Sequence, residues 1–301
     1  MTEFPPDVHA LIDAAVAEDQ TFNDPTTQAV VPEEIQGTGM LRAKAHGVLA
    51  GVDVAVAVFN RVDPSLEVRA ILQDGASLSP GDDIAMVRGS AAGILRAERI
   101  ALNFMQRMSG IASDTNRYVA AVQGLDVRIV DTRKTVPGHR YLDKYSVRMG
   151  GGFNHRMNLA DGILIKDNHL ATRDNQEAAS PAAALRQVRR FIEQYQADNP
   201  MPENLLVEIE VDTLDQLADA LAATPDIVLL DNMPAEMLRE AVACRDRLSP
   251  ATQLEASGGV TLEQLAAIAT TGVERISVGA LTHAASALDI GLDWIDGERR
   301  G

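Results

Sequence analysis

The spacing of apolar residues changes character along the chain. Between residues 5 and 20, Val8, Leu11, Ile12, Ala15 and Val16 recur at three- and four-residue steps, which predicts an amphipathic helix entered through prolines. From about 37 to 95, glycine-bearing turns separate short apolar runs such as GVLAG, LEVRAIL and DIAMVRG, predicting strands of a small sheet. Helical spacing returns in AERIALNFMQRMSG, residues 97–110. Ile100, Phe104 and Met108 share one face there, Arg99, Asn103 and Gln106 another, and the final Ser-Gly predicts a stop.

From about 125 the rhythm changes again. Short apolar runs end in polar or glycine tips: VRIVDTRK, GILIKDNH, LLVEIEVD, DIVLLDNM, QLEASGG and RISVGAL. Helical segments follow three of them: LDQLADALAA, AEMLREAVACRDRL and LEQLAAIATTG. Strand, tip, helix, strand is the repeat of a parallel sheet covered by helices. Six such strands fall short of a closed eight-fold barrel. In barrels of this kind chemistry sits at the carboxyl ends of the strands. Those ends carry Asp131, Arg133, Lys134, Lys166, Asp167, Asn168, His169, Glu210, Asp212, Asp231, Asn232, Ser257 and Gly279, a set with almost no apolar member.

Charge sharpens this picture. The 301-residue chain has a formal net charge of −16, yet Arg128 to Arg173 holds nine Lys/Arg against four Asp/Glu. The acidic whole argues against nucleic acid or an anionic membrane as partner, and the basic segment argues for a pocket that holds a small anion. A single cysteine, Cys244, rules out an intrachain disulfide and fits a reducing compartment. The first residues, MTEFPPDVHA, have no signal-peptide pattern, and the apolar run GVLAGVDVAVAVF is too short to span a bilayer, so a cytoplasmic protein is expected.

Particular residues suggest particular chemistry. In VEIEVD, alternation puts Glu208, Glu210 and Asp212 on one strand face and Val207, Ile209 and Val211 on the other. The acidic face would point into the barrel, where carboxylates need partners. A structural bridge to Lys166 is one reading. A ligand set for Mg2+ or sugar hydroxyls is the other, and Asp231 on the next strand favours it because a hard cation takes several oxygens. The tips EASGGV, 255–260, and SVGAL, 277–281, sit where this fold often binds phosphate through backbone N–H groups; a lone SGG is equally a tight turn. Arg133, Lys134, Arg156 and Lys166 need counter-ions if buried. GGGFNHR, 150–156, reads either as a loop that folds over an anion or as an exposed turn. Arg140, Lys144 and Arg148 recur at helical spacing and read as a solvated or interface face.

Taken together, ERIALNFMQRMSGIAS, DTRKTVPGHRYLDKYSVRMGGGFNHRMNLADGILIKDNH, VEIEVDTLDQL, IVLLDNM, LEASGGV and ISVGALTH resemble the quinolinate phosphoribosyltransferase family, in the family's order, over roughly 97–290. The central block is the specific part. One departure is length: ATRDNQEAASP and QADNPMPE, between the KDNH tip and VEIEVD, read as an insertion away from the motifs.

The resemblance implies an α/β fold: an N-terminal α/β sandwich domain, 1–112, and an open, incomplete TIM-like α/β barrel of about seven strands, 113–281, with 282–301 returning to the first domain. It implies transfer of phosphoribose from phosphoribosyl pyrophosphate to quinolinate with decarboxylation, giving nicotinate mononucleotide, pyrophosphate and CO2, with Mg2+ required. Arg133, His155, Arg156 and Arg99 would clamp the two carboxylates, with Lys134 and Lys166 adding charge. Glu210 and Asp231 would hold Mg2+ or the ribose hydroxyls. Ser257, Gly258, Gly259 and Gly279 would cradle the 5-phosphate. Arg99 would come from the partner subunit of a homodimer or dimer-based oligomer with shared sites. The alternatives are a transferase for nicotinate or another pyridine carboxylate, a phosphate-binding lyase or isomerase using Lys166, and a non-catalytic phosphometabolite sensor.

Overall fold

The computed structural model describes residues 4–173, 180–196 and 205–295, and its chain divides into two compact units. The first comprises residues 1–116, 134–152 and 280–301, and the second 117–133 and 153–279. Of the stretch read as an insertion, 174–179 and 197–204 lie outside the described residues. No helix among the described residues is long and apolar enough to cross a membrane.

In the first unit, β1 (Gln36–Ala43), β3 (Glu67–Ala70), β5 (Asp83–Ser90) and β12 (Ile290–Ile295) form an antiparallel sheet in the order β12-β1-β5-β3. The short strands β2 (Gly47–Val48) and β4 (Ser77–Leu78) pair separately. Helices α1 (Pro6–Glu18), α2 (Pro25–Val30), α3 (Val52–Val62) and α5 (Arg140–Met149) belong to this unit, as does most of α4 (Ala91–Ala121). Val8, Ile12 and Val16 of α1 join Val58, Phe59, Ile94, Phe104 and Met108 in its core. Each fully buried side chain of this size contributes about 1.5–3 kcal/mol.

Three expectations change here. The segment 37–95 is more than strands, because α3 interrupts it. Asp74 accepts hydrogen bonds from the Gly51 and Val52 N–H groups at 2.9 and 3.0 Å and so caps that helix from a distant turn. Helix α4 runs well past the Ser-Gly pair. Ser109 Oγ accepts from Ala50 N at 3.0 Å and donates to Ala50 O at 3.1 Å, while a Cβ on Gly110 would meet the Ser286 carbonyl at 2.0 Å. These small residues allow close packing rather than ending the helix. Lys144 is fully buried, so the helix face read as solvated or interface is interior to the chain at that position.

The second unit is a parallel sheet of six strands: β6 (Arg128–Val130), β7 (Ile163–Ile165), β8 (Val207–Val211), β9 (Ile227–Asp231), β10 (Gln253–Ser257) and β11 (Arg275–Ser277). The order is β6-β11-β10-β9-β8-β7. A single parallel bridge between Val130 and Phe153 adds a rudimentary seventh position beside β6. Helices α6 (Asp167–Ala171), α7 (Pro181–Gln196), α8 (Leu214–Leu221), α9 (Ala235–Leu248) and α10 (Leu262–Ala269) follow strands of this sheet, and α11 (Ala280–His283) begins the return to the first unit. The fold is the expected open, incomplete barrel.

Candidate active site

Register sorts the barrel residues into two faces. Val207, Ile209, Val211, Val228, Leu230, Leu254, Ala256 and Ile276 alternate out of the barrel, and all are buried. On the inner face Glu210 lies level with Leu229, Leu229 with Glu255, and Glu255 with Arg275. Asp231 and Ser257 pair one layer nearer the carboxyl ends. Barrel interiors are ordinarily filled by bulky branched apolar side chains. A charged interior is costly unless it is paired or holds a ligand.

One group of these residues surrounds His155. Nε2 of His155 lies 2.9 Å from Glu208 Oε2 and 3.7 Å from Glu255 Oε1. Arg275 Nε donates to Glu255 Oε2 at 2.6 Å. The backbone is pinned as well: Asp131 accepts from Asn154 Nδ2 at 2.6 Å and from His155 N at 2.8 Å. His155 Nδ1 in turn accepts the Arg156 N–H at 2.7 Å. Burial opposes the charged ring, but Glu208 and then Glu255 outweigh it and hold the His155 pKa above its ordinary value. Burial, followed by the charge of Glu208, raises that of Glu255.

His155, Glu208 and Glu255 have ligand atoms within 4.8 Å of one another, as a metal group would. Arg275 already neutralises Glu255, however, and the His155–Glu208 bond is best satisfied by a proton on Nε2. His155, Glu208 and Arg275 border a cavity of about 400 Å³ lined also by Asn154, Arg156, Gly162 and Ile227.

Arg156 donates to the Gly162 carbonyl at 3.0 Å. Its pKa is lowered by burial first and then by the Arg133 guanidinium. Arg133 Nε is itself buried with no hydrogen-bond partner among the described residues. Two arginines that repel each other, one with an unused buried donor, form a site that an anion would complete. The GGGFNHR segment starts as a turn with Gly151 and Phe153 exposed, while Gly150 and Gly152 are buried. A Cβ on Gly150 would meet the Ala112 carbonyl at 2.3 Å, so the glycines let the chain pack closely before it delivers His155 and Arg156.

At the carboxyl rim, Lys166 donates through Nζ to Glu210 Oε2. Asp231 ends β9 and accepts from Asn232 Nδ2 at 2.7 Å. The Asn232 N–H donates to Ser257 O at 2.9 Å, tying the β9 and β10 tips together. Gly258 has φ +95° and Gly259 φ +57°, and a Cβ on Gly258 would lie 2.2 Å from Asn232 Oδ1. Only glycine fits that position without displacement. Gly279 follows β11 at the same end.

The remaining two expected site residues belong to the first unit. Arg99 is exposed on α4 and lines a groove of about 310 Å³ with Phe104, Arg107 and His139. Arg107 grips buried Asp143 through two nitrogens, and Asp143 also accepts the Val136 N–H at 3.3 Å. Lys134 is exposed, and its carbonyl accepts from Thr282 Oγ1 at 2.9 Å.

Sequence reasoning missed Glu255, Arg275 and the anchoring role of Asp131. A single acidic residue inside each of the short apolar runs QLEAS and VRIVD was the available signal, because strand centres rarely bury an unpaired charge.

Comparison with known proteins follows the same outline. The profile of the quinolinate phosphoribosyl transferase C-terminal domain matches residues 111–293 and that of the N-terminal domain residues 24–109. The chain is 46% identical to the nicotinate-nucleotide pyrophosphorylase (carboxylating) of Mycobacterium leprae, over 93% of this chain and 94% of that protein. It is 37% identical to quinolinate phosphoribosyltransferase (decarboxylating) 2, mitochondrial, of Nicotiana glauca, over 95% and 82% of the two chains. The solved nicotinate-nucleotide pyrophosphorylase from Francisella tularensis superposes with a TM-score of 0.87 at 35% identity, covering 97% of this chain and 98% of that one. The chain belongs to the quinolinate phosphoribosyltransferase family.

Proposed function

We propose that this protein transfers the phosphoribosyl group of phosphoribosyl pyrophosphate to quinolinate and releases pyrophosphate and CO2, giving nicotinate mononucleotide. Family membership supports the reaction. The observation that carries the choice of acceptor is the Arg133–Arg156 pair with its unused buried donor, beside His155. Quinolinate brings two adjacent carboxylates, which arginine forks match well.

In this reading Arg133, His155 and Arg156 fix the dicarboxylate, with Lys134 and Lys166 adding positive charge, and the ring nitrogen is aimed at the sugar C1. Holding the ring in place removes much of the entropic cost of the encounter. The nitrogen–C1 bond forms as the bond from C1 to the pyrophosphate oxygen breaks. Positive charge developing at C1 is stabilised by the carboxylates of Glu210 and Asp231. The carboxylate next to the now cationic nitrogen leaves as CO2, its bonding electrons remain on the ring carbon, and a proton fills that position. Backbone N–H groups at Ser257, Gly258, Gly259 and Gly279 hold the 5-phosphate.

Glu210 and Asp231 also suit Mg2+. Both are carboxylates with solvent access on the inner face, one layer apart, and they leave room for water and substrate oxygens in the shell this ion prefers. Bound there, the ion would supply charge neutralisation for the departing pyrophosphate. We assign Arg99 to the site of a second copy in a homodimer, on the strength of its exposure on α4 and its family motif. The single cysteine fits a cytoplasmic setting.

The test is a mass-resolved assay with Mg2+, phosphoribosyl pyrophosphate and quinolinate carrying a labelled carboxylate next to the ring nitrogen. Mononucleotide and labelled CO2 in equal amounts are expected. Folded protein that yields neither contradicts the proposal.

A further inference from the structure

Beneath the rim, the barrel maintains a costly arrangement. Glu208 and Glu255 are 3% and 0% exposed, and each keeps one oxygen, Oε1, without a hydrogen-bond partner among the described residues. A buried ion pair that served stability alone could be replaced by apolar side chains at little or no loss. The direction of the bonds points to another use. Glu208 Oε2 sits 2.9 Å from His155 Nε2, with Glu255 Oε1 behind it at 3.7 Å, so two carboxylates face one ring nitrogen. An excess of acceptors on that side keeps the proton on Nε2. Nδ1 is then left as an acceptor, and the Arg156 N–H occupies it at 2.7 Å. Arg275 keeps Glu255 in place through the bond to Oε2 at 2.6 Å.

We propose that Glu208, backed by Glu255 and Arg275, is the positioning residue of the acceptor site. It fixes the orientation and tautomer of His155, and through the ring's other nitrogen it fixes the start of Arg156. Glu208 acts through His155 and is a different carboxylate from Glu210, which lies two residues on and pairs with Lys166. The same logic governs buried carboxylates behind metal-bound histidines, where the outer partner sets ring orientation and tautomer. Here both ring nitrogens are engaged, so the oriented ring serves an organic dianion by placing Arg156. The inference rests on the quinolinate reading above.

The experiment is steady-state kinetics, varying quinolinate and phosphoribosyl pyrophosphate separately, on wild type, Glu208→Ala, Glu208→Gln, His155→Ala and the Glu208→Ala/His155→Ala double variant. Glu208→Ala is expected to raise the quinolinate KM about ten-fold or more, the scale of a lost hydrogen bond to a charged group, and to leave the phosphoribosyl pyrophosphate KM within about two-fold. Glu208→Gln, which retains an acceptor oxygen at similar volume, is expected to recover most of that loss. On a His155→Ala background, Glu208→Ala is expected to add less than about two-fold, because the two residues act as one unit.

Equal rises in both KM values, or full additivity with His155→Ala, overturn the inference. If Glu208→Ala fails to fold, Glu208→Asp takes its place, keeping the charge but withdrawing the oxygen by about 1.5 Å. It must show the same selective rise, and an unmoved quinolinate KM in that variant overturns the inference. A wild type that makes no mononucleotide from quinolinate sinks the underlying reading. A wild type that does, with variants that bind quinolinate normally, sinks this inference alone.

Discussion

Lys166, at the tip of β7, donates to Glu210 on the adjacent strand β8, and the two side chains keep 42% and 14% of their exposure. A half-exposed pair of this kind is worth little to stability, about 0–1 kcal/mol. In the proposed mechanism its place at the rim gives it a larger part in catalysis. Lys166→Met is therefore expected to shift the urea midpoint slightly while lowering kcat/KM about a hundred-fold or more, the scale seen when one preorganised electrostatic contact is removed. Parallel losses of stability and activity would return the pair to a structural role.

The two glycines after β10 should differ. Alanine at Gly258 needs φ +95° and places its Cβ 2.2 Å from Asn232, whereas alanine at Gly259 needs φ +57° and meets nothing within 4 Å. Gly258→Ala is expected to raise the KM for phosphoribosyl pyrophosphate about ten-fold or more, and Gly259→Ala to behave closer to wild type, paying only the roughly 1–2 kcal/mol left-handed penalty in stability. Titration of each variant with phosphoribosyl pyrophosphate decides. Equal effects would mean that this tip does not shape the phosphate site.

Arg99 gives the proposal for a shared site its own test. Arg99→Ala and Lys134→Ala are each expected to be nearly inactive. Mixing them under conditions where subunits exchange is expected to restore part of the activity, because hybrid dimers would hold one intact site. Exchange confirmed by mass spectrometry without any recovery would place both residues in the same subunit's site.

Tyr145 makes a prediction about pH. Its hydroxyl donates to Asp74 Oδ2 at 2.7 Å, and burial, followed by that bond and the Asp74 charge, pushes the phenol well above its ordinary value. A group whose pKa rises on folding contributes stability that is present below its unfolded value and fades above it. Stability should therefore decline as pH climbs past about 10, the unfolded tyrosine value. Tyr145→Phe is expected to lower stability near neutrality, since Asp74 also caps α3, and to flatten that alkaline decline. Urea midpoints from pH 8 to pH 11 for both proteins test it, and unchanged alkaline slopes would contradict it.

Much of this site can be read in the sequence, because strand alternation is a local property. VEIEVD announces which side chains enter the barrel, and polar tips after apolar runs announce the rim at Lys166, Asp231 and Ser257. Pairing across the barrel is not local. Nothing near Glu255 says that Arg275 lies level with it on the next strand, or that His155 reaches Glu208 from 53 positions away. Lys144 teaches a similar lesson. Helical spacing grouped it with Arg140 and Arg148, yet Lys144 is buried while Arg148 is exposed, because spacing alone cannot tell which positions meet solvent and which meet protein. Ser109 and Gly110 looked like a stop because their small size suits termini, and in the fold that size serves contact with Ala50 and Ser286.

The central claim is that Arg133, His155 and Arg156 form a clamp for two adjacent carboxylates. The most direct measurement is the ratio of kcat/KM for quinolinate over nicotinate, in wild type and in Arg156→Ala. A site built to bind a charged group rejects an analogue lacking it by roughly 10⁴-fold, so the wild type should strongly prefer quinolinate and the variant should lose most of that preference. Comparable use of nicotinate by the wild type, or a ratio unmoved by Arg156→Ala, would contradict the clamp.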